Sequence, residues 1–416
     1  MRIKFPCIPV RFVREAERLR RFVGLRRRRF VVAGVLAAVL IVADYIGGNI
    51  SYPVLDSSYD LSWAAYVGSL KNGREDAPPF LAANVAYDRE LVTVYDEFGD
   101  TLGRAPVVDR DLLARFLRTI RTADYAYVLL DVRFEDGYES DGDSALFATL
   151  ADMPRMAFAV HRGGESDDSP IVDERLRSRG AYADYRSLAH SEFSRYEFLQ
   201  DGRLSMALLM YSELDGGRFC RFGPLYFDGW RLCRNMQFVE IPADAGARYL
   251  DDFKVAFPYM GAQLLKQYTP DELRNLVRGK IVLIGDFDAD VHDTYVGPLP
   301  GPLIHYYAYR DLKRGHHIFG LWSTIVIWLV YFAISYVLLK GFWGSVEATG
   351  STTHDTLKRW RRILMAMALF LGWNGVLITL SVTLFWLCGL SLGLALPGFA
   401  FTAIQLCSAL KRARSV

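Results

Sequence analysis

The sequence predicts an α/β fold in which helices flank a mostly parallel sheet, together with four transmembrane helices. Two patterns indicate this architecture. Between residues 51 and 319, short apolar runs alternate with amphipathic segments, as in the βαβ units of a parallel sheet. Outside that region, one apolar run near the N-terminus and three near the C-terminus approach the about 20 residues that a helix needs to cross a bilayer. These runs are residues 30–50, 321–339, 363–385 and roughly 390–410.

Basic residues set the expected orientation of these spans. Lysine and arginine gather before the first span, between the second and third, and after the fourth, so the positive-inside rule places all three clusters in the cytoplasm. The first run is long for a signal peptide and Ala43-Asp44-Tyr45 is a poor cleavage site, so we expect an uncleaved anchor. The predicted segments are a basic leader (1–29), the first span (30–50), an exported domain (51–319), the second span (320–340), a cytoplasmic loop (341–362), a hairpin of two spans (363–410) and a cytoplasmic tail (411–416).

The charge of the chain is distributed unevenly. The formal net charge is +2, yet the segment 51–339 carries −12. An acidic exported domain on basic cytoplasmic anchors argues against nucleic acid as a partner. In the leader, Phe12, Ala16, Leu19 and Val23 recur at helical spacing among arginines. This pattern suits either an amphipathic helix on an anionic membrane surface or a solvated charge run.

Two of the five cysteines, Cys220 and Cys233, lie in the exported segment. Between them are two turn signals, Gly223-Pro224 and Asp228-Gly229. We therefore expect a hairpin-like loop closed by a Cys220–Cys233 disulfide, which an extracytoplasmic compartment would permit. Two buried thiols are the alternative.

The elements of the exported domain follow one another along the chain. FLAANVAY (80–87) is typical of a strand, and RDLLARFLRTIR (110–121) places its apolar residues on one helical face. Asp143 and Thr269-Pro270 are expected to cap the helices that follow them. Further strands are predicted at 125–130, 156–160, 238–241 and 281–284, and further helices at 144–151, 205–213, 271–277 and from about 303.

Polar residues directly follow several of the predicted strands, namely Asp88, Asp131, His161 and Asp286. If the strands are parallel, these four residues meet at one edge of the sheet, where open α/β sheets bind ligands. Capping of the next helix or loop is the alternative role for each of them. The candidate ligand-binding site also includes the residues His292, Asp293 and His305.

The loop after residue 284 has a spacing that resembles a calcium-binding loop. Aspartates alternate from Asp286 to Asp290, but Val291 and Gly297 replace the turn glycine and the bidentate glutamate of such a loop. We therefore predict no metal site and no cofactor, with a hard divalent cation as the alternative. His292, paired with Asp293 or Asp286, is a candidate sensor of periplasmic pH, because a nearby carboxylate shifts a histidine pKa.

Four stretches carry a resemblance to a known family. They are YVLLDVRFED (127–136), DGDSALFATL (141–150), GKIVLIGD (279–286) and PLPGPLIHYYAYRDLKRG (298–315). Together they resemble the CHASE2 domain, an extracytoplasmic sensor module of bacterial receptors. The last stretch keeps the Ile304-His305 pair of that family, whereas Tyr306 and Tyr307 replace small and amide residues. One span, the domain and three further spans are similar to the architecture of the family.

The resemblance implies a sensor in the bacterial inner membrane that binds a small ligand or an envelope protein in the periplasm. The expected cytoplasmic stretches contain no P-loop, kinase glycine-rich loop or His-Asp relay, so we expect signalling through a separate effector and no enzymatic activity. The sequence leaves homo-oligomerisation open. One alternative is a structural subunit of an envelope complex, docked through Tyr295, Tyr306, Tyr307 and Tyr309. Another is a periplasmic hydrolase, although no nucleophile motif supports it.

Overall fold

A computed structural model describes residues 10–49, 78–96, 98–135, 137–161, 174–184, 193–243, 245, 257–347, 356–390, 392 and 395–414. Two compact units divide the chain between them. The first unit holds Met1–Gly47, Gly320–Ser381 and Leu392–Val416, and the second holds Gly48–Phe319 and Val382–Ser391.

The second unit is built on a five-stranded parallel sheet, and smaller antiparallel pairs are added to it. In chain order the strands are β1 (Phe80–Asn84), β2 (Arg89–Tyr95), β3 (Thr101–Val108), β4 (Tyr127–Asp131), β5 (Met156–Val160), β6 (Gly180–Tyr182), β7 (Arg195–Glu197), β8 (Leu199–Gln200), β9 (Arg203–Leu204), β10 (Phe219–Phe222), β11 (Leu225–Asp228), β12 (Arg231–Cys233), β13 (Met236–Phe238), β14 (Ile281–Gly285), β15 (Val291–Thr294) and β16 (Gly297–Pro300). The order in the main sheet is β1-β14-β4-β5-β6. The predicted parallel sheet is thus confirmed.

Helices cover both faces of this sheet. In chain order the described α-helices are α1 (Val10–Gly48), α2 (Arg110–Ile120), α3 (Asp143–Ala151), α4 (Met206–Asp215), α5 (Leu265–Gln267), α6 (Pro270–Val277), α7 (Gly301–Arg314), α8 (Leu321–Glu347), α9 (Thr356–Cys388) and α10 (Ala395–Arg414). A 3₁₀ turn at Glu174–Arg179 and a π-helical turn at Met260–Leu264 complete the set.

The residues of β4 show how the two layers form. Leu129 packs in one apolar cluster with α4 and α7, whereas its neighbour Leu130 packs in a second cluster with α2, α3 and α6. Successive side chains of a strand point to opposite faces, so a strand between two helical layers must be apolar throughout. All five residues of β14 are buried for this reason.

The caps agree with the predictions in one case and differ in the other. Thr269 and Glu272 form a capping box at the start of α6, with Pro270 in the first turn. Asp143 does not cap α3, because it lies inside the first turn and the N-cap position is Gly142. Its carboxylate instead accepts a hydrogen bond from Ser140 N (2.8 Å) and lies 3.2 Å from Arg110 Nε.

The expected Cys220–Cys233 disulfide is wrong. The two cysteines lie on β10 and β12 of an antiparallel meander, and β11 separates them. Cys220 pairs with Phe227 and Cys233 with Tyr226, which are adjacent residues on β11 and therefore point to opposite faces. Neither thiol is part of a disulfide, and Cys220 is exposed whereas Cys233 is buried. The turn signals were read correctly, since the turns lie at residues 223–224 and 229–230, but a meander keeps the thiols apart.

The first unit contains long apolar helices. Three of them are long and apolar enough to cross a membrane, at Arg27–Gly48, Leu321–Lys340 and Phe370–Cys388. The fourth predicted span forms α10, which begins only at Ala395 and is not one of these three helices. The side chain of Trp373 on α9 donates to Gln405 Oε1 on α10 (3.1 Å).

Helix α9 belongs to both units. It is continuous from Thr356 to Cys388, yet the boundary between the units falls after Ser381. Its end and the following turn pack within the second unit, where Gln237 Nε2 donates to the Gly389 carbonyl (2.6 Å) and Phe238 contacts Phe385 at a ring distance of 5.3 Å.

Candidate ligand site at the strand ends

The carboxyl ends of the five parallel strands meet at one edge of the sheet, because all five run in the same direction. The polar residues at or directly after those ends are Asn84, Asp286, Asp131, His161 and Asp184. The structure therefore brings the predicted residues Asp131, His161 and Asp286 to the same edge. It uses them in different ways.

A buried chain of three polar side chains lies at the centre of this edge. His305 is fully buried, and its Nε2 atom is 3.5 Å from Oδ2 of Asp131, whose side chain is 6% exposed. On the other side of the ring, Nδ1 forms a hydrogen bond of 2.7 Å with the hydroxyl of Tyr196. Burial raises the pKa of Tyr196, so its hydroxyl can donate to Nδ1 of His305, and in that tautomer the Nε2 hydrogen faces Asp131.

Helix α7 brings His305 to Asp131 because the helix begins with glycine. A Cβ atom on Gly301 would lie 2.2 Å from Asp290 Oδ2 and 3.3 Å from Asp131 Oδ2, so a larger residue here would have to displace the Asp290 carboxylate. The Gly301 N–H donates to the Asp290 carbonyl (2.9 Å). Carboxylates at a helix N-terminus are favoured by the helix dipole, which stabilises this arrangement.

The side chain of His161 forms a second pair at the same edge. Its Nδ1 atom is 2.8 Å from Asp184 Oδ1, which follows β6. Burial of the ring acts to lower the pKa of His161, but the contact with Asp184 and the nearby charge of Asp131 raise it above the usual value. The pair is about one third exposed, so it lies between the buried chain and solvent.

Asp286 organises the loop that follows β14. Its Oδ1 atom accepts from the backbone N–H groups of Asp288 (3.0 Å) and Ala289 (2.8 Å), and Oδ2 accepts from Arg89. Asn84, at the end of β1, donates to Asp288 Oδ1 (3.0 Å). The carboxylate of Asp286 therefore holds the loop and bears one ion pair.

The remaining predicted residues lie elsewhere or are already engaged. Asp88 accepts from Gly261 N (2.8 Å) and so caps the π-helical turn, and burial raises its pKa. His292 pairs with Asp290 (3.0 Å) rather than with Asp286 or Asp293, the two partners expected from the sequence. Asp293 is exposed on β15.

Three partners in the site were not expected from the sequence: Tyr196, Asp184 and Asn84. Tyr196 and Asp184 come from the irregular region after residue 161, where no periodic pattern marks them. Asn84 was read as an interior residue of the strand 80–87, but β1 ends there. The tyrosine surface considered for the structural alternative is not formed by Tyr306, Tyr307 and Tyr309, because these are buried core residues.

The arrangement suits recognition and proton movement rather than metal binding. Among the residues that the structure describes, no three ligands at this edge converge on a common metal position. A buried Asp–His–Tyr chain beside a half-exposed His–Asp pair can respond to a charge or proton that arrives at the edge.

Comparison with known proteins identifies the family. The family model of the CHASE2 domain matches residues 36–340. No curated protein and no solved structure matches the chain. The matched region includes all five strands of the parallel sheet and every residue of the strand-end site. The chain therefore belongs to the CHASE2 family of extracytoplasmic sensor domains.

Proposed function

We propose that this chain is a sensor subunit of the bacterial inner membrane, with its α/β domain in the periplasm and both termini in the cytoplasm. It binds a small ligand or an envelope protein at the strand-end site and acts on a separate effector, without catalysis of its own. Membership of the CHASE2 family supports the sensor role. Three helices of membrane-spanning length and composition support the attachment to a membrane.

The buried chain of Asp131, His305 and Tyr196 is the observation that carries this proposal. Burying ionisable groups in an apolar layer costs free energy that their pairing offsets at best in part. A contribution to stability alone therefore does not explain why these three side chains are buried here. It lies beside His161, which responds to the charge of Asp131. A ligand that changes the charge at the edge of the sheet would therefore alter the charge and hydrogen bonding among Asp131, His305 and Tyr196.

In this proposal, helix α7 transmits a change at the strand-end site toward the membrane helices. It begins beside Asp131, carries His305 in its second turn, and ends at Arg314, shortly before α8 begins at Leu321. A second route is α9, whose end is held by Gln237 and Phe238. In this proposal, a change at the strand ends reaches the membrane helices and the loop 341–362, where a separate effector binds.

Site-specific photo-crosslinking in the native host tests the proposal. A crosslinking amino acid at position 343, near the end of α8, should capture one cytoplasmic or membrane protein. Its yield should change several-fold in Asp131→Asn, because this substitution removes the charge facing His305. The matched control is Asp293→Asn, whose carboxylate is exposed on β15. Equal yields in the wild-type chain and Asp131→Asn would contradict signalling from this site.

One observation favours a second candidate function, that of a structural subunit of an envelope complex. Trp230 is fully exposed (101%) and Phe222 is 77% exposed on the β10–β12 meander. Large exposed aromatic side chains often mark surfaces that bind other proteins. If this function is correct, a crosslinking amino acid at the exposed position 221 on β10 captures an envelope protein. Trp230→Ala then removes that product, and Asp131→Asn leaves its yield unchanged.

A further inference from the structure

A second cluster of ionisable side chains lies at the other end of α7. Glu240, which follows β13, meets Asp311 and His316 there, and the candidate ligand atoms of the three residues all lie within 4.8 Å of one another. His316 Nδ1 is 3.5 Å from Asp311 Oδ1 and 3.8 Å from Glu240 Oε2. Two ligand atoms at about 2.1 Å from one tetrahedral ion are about 3.4 Å apart, so the spacing matches atoms that share an ion.

Asp311 distinguishes this cluster from an ordinary surface ion pair. Its side chain is 1% exposed, and its Oδ2 atom accepts from the backbone N–H of Glu240 (2.6 Å). Its Oδ1 atom and His316 Nδ1 face each other at 3.5 Å, and neither atom forms a hydrogen bond with a donor or acceptor among the described residues. A buried carboxylate oxygen without a donor carries a desolvation penalty. A bound cation would remove this penalty.

The backbone fixes two of the three ligands. Gly315 ends α7 in the left-handed region (φ 75°), and His316 N donates to the Asp311 carbonyl (3.1 Å), so the ring folds back over Asp311. The hydrogen bond from Glu240 N holds the Asp311 carboxylate, as outer-shell partners hold the ligands of metal sites. The C-terminus of a helix also favours a positive charge.

Two arginines lie near the cluster. Arg314 Nη1 is 3.4 Å from Glu240 Oε2 and would compete with an ion for that oxygen. Arg310 donates to the Glu240 carbonyl and lies over the ring of Tyr307 at 4.8 Å. We therefore expect an affinity below that of a closed site with four protein ligands.

We propose that Glu240, Asp311 and His316 bind one Zn²⁺ ion, with water in the fourth position. One imidazole and two carboxylates are a ligand set that suits zinc, whereas calcium and magnesium prefer oxygen ligands alone. The ring of His316 also lies against Gly389, where an added Cβ atom would be 2.1 Å from its Cγ. An ion at this position therefore fixes the ring on which the turn after α9 rests.

Equilibrium dialysis of the full chain in detergent tests the site. After treatment with a chelator, the wild-type chain should bind one Zn²⁺ ion, and Co²⁺ should give the visible absorption of a tetrahedral site. His316→Ala and Glu240→Gln should each weaken zinc binding by about ten-fold or more. Glu240 is half-buried, so Glu240→Gln is expected to keep the fold if His316→Ala does not.

The matched control is His292→Ala, which removes a histidine that pairs with a single carboxylate, Asp290. It should bind zinc as the wild-type chain does. Melting temperatures measured without zinc would show whether each variant is folded. A folded wild-type chain that binds no zinc would overturn the proposal. So would zinc binding that both His316→Ala and Glu240→Gln retain unchanged.

Discussion

Carboxylates in similar sequence positions have different roles in this domain. Asp88 and Asp286 are engaged with backbone N–H groups, as the capping alternative expected. Asp131 instead faces the fully buried ring of His305. All three aspartates lie at or near the end of a strand in the sequence. Their roles differ because different residues pack against each of them. The start of α7 at Gly301 is what places an imidazole over Asp131 and over neither of the other two.

At the scale of single residues, we predict a pH dependence that belongs to His161. Its pKa is raised in the folded chain, so its pairing with Asp184 contributes stability that is fully present below about pH 6.5. That contribution is lost as the pH rises through the higher, folded-state pKa. Melting temperatures of the full chain between about pH 5.5 and 8.5 should therefore fall less steeply in His161→Gln than in the wild-type chain.

Asp184→Asn tests the same pair from the other side and should flatten the profile in a similar way. If both variants keep the wild-type slope, the pair does not contribute to the pH dependence.

The sequence predicted the edge of the site better than its interior. Asp131, His161 and Asp286 were found because each directly follows an apolar run, and parallel strands bring such positions together. His305 was found through its conserved-looking position in the family motif rather than through any contact. Tyr196 and Asp184 were missed because only the folded chain places β7 beside α7 and the end of β6 beside the end of β5.

At the scale of elements, periodicity decided what could be predicted. Helix α2 was found because its buried residues Leu113, Phe116, Leu117 and Ile120 share one face. The β2–β3 hairpin was missed, since most of its residues are exposed or half-exposed and leave little apolar pattern. The prediction of a disulfide was wrong for a related reason. Two turn signals occur both in a loop closed by a disulfide and in a three-stranded meander, so they cannot distinguish the two.

The position of the two cysteines in the β10–β12 meander lets us predict how fast each thiol reacts. In the folded chain, an alkylating reagent should modify the exposed Cys220 quickly, and Cys233 only after denaturation, because burial protects that thiol and raises its pKa. Mass spectrometry of the labelled chain measures both rates, and Cys220→Ser should lose the fast reaction. A mass lower by two hydrogens in the unreduced chain, restored by reduction, would contradict the register of β10–β12.

At the scale of the whole molecule, the continuous helix α9 is the element that the two units share. Its end is held in the second unit through Gly389, which adopts φ 67° and lies against His316. A side chain at position 389 would meet both a strained backbone and the imidazole ring.

We therefore predict that Gly389→Ala lowers the free energy of unfolding by roughly 1–3 kcal/mol. The midpoint of SDS-induced unfolding in mixed micelles measures this change. The matched control is Gly375→Ala inside α9, where an added Cβ atom has no neighbour within 4 Å. It should be neutral or should stabilise the chain by up to about 1 kcal/mol, because alanine favours a helix over glycine. Equal effects of the two substitutions would show that the Gly389 contact is not needed for stability.

The position of β14 has a consequence for how this protein is made. β14 is the last of the five sheet strands along the chain, yet it lies between β1 and β4, and Phe80 pairs with Ile281. A chain that is threaded across the membrane from its N-terminus delivers β1 long before the strand it pairs with. Until β14 arrives, β1 and one side of β4 are open edges, and open edges invite aggregation and proteolysis. In the periplasmic topology proposed above, the sheet closes only when residue 285 emerges, so quality-control factors of the envelope would have their longest access to this domain before that point.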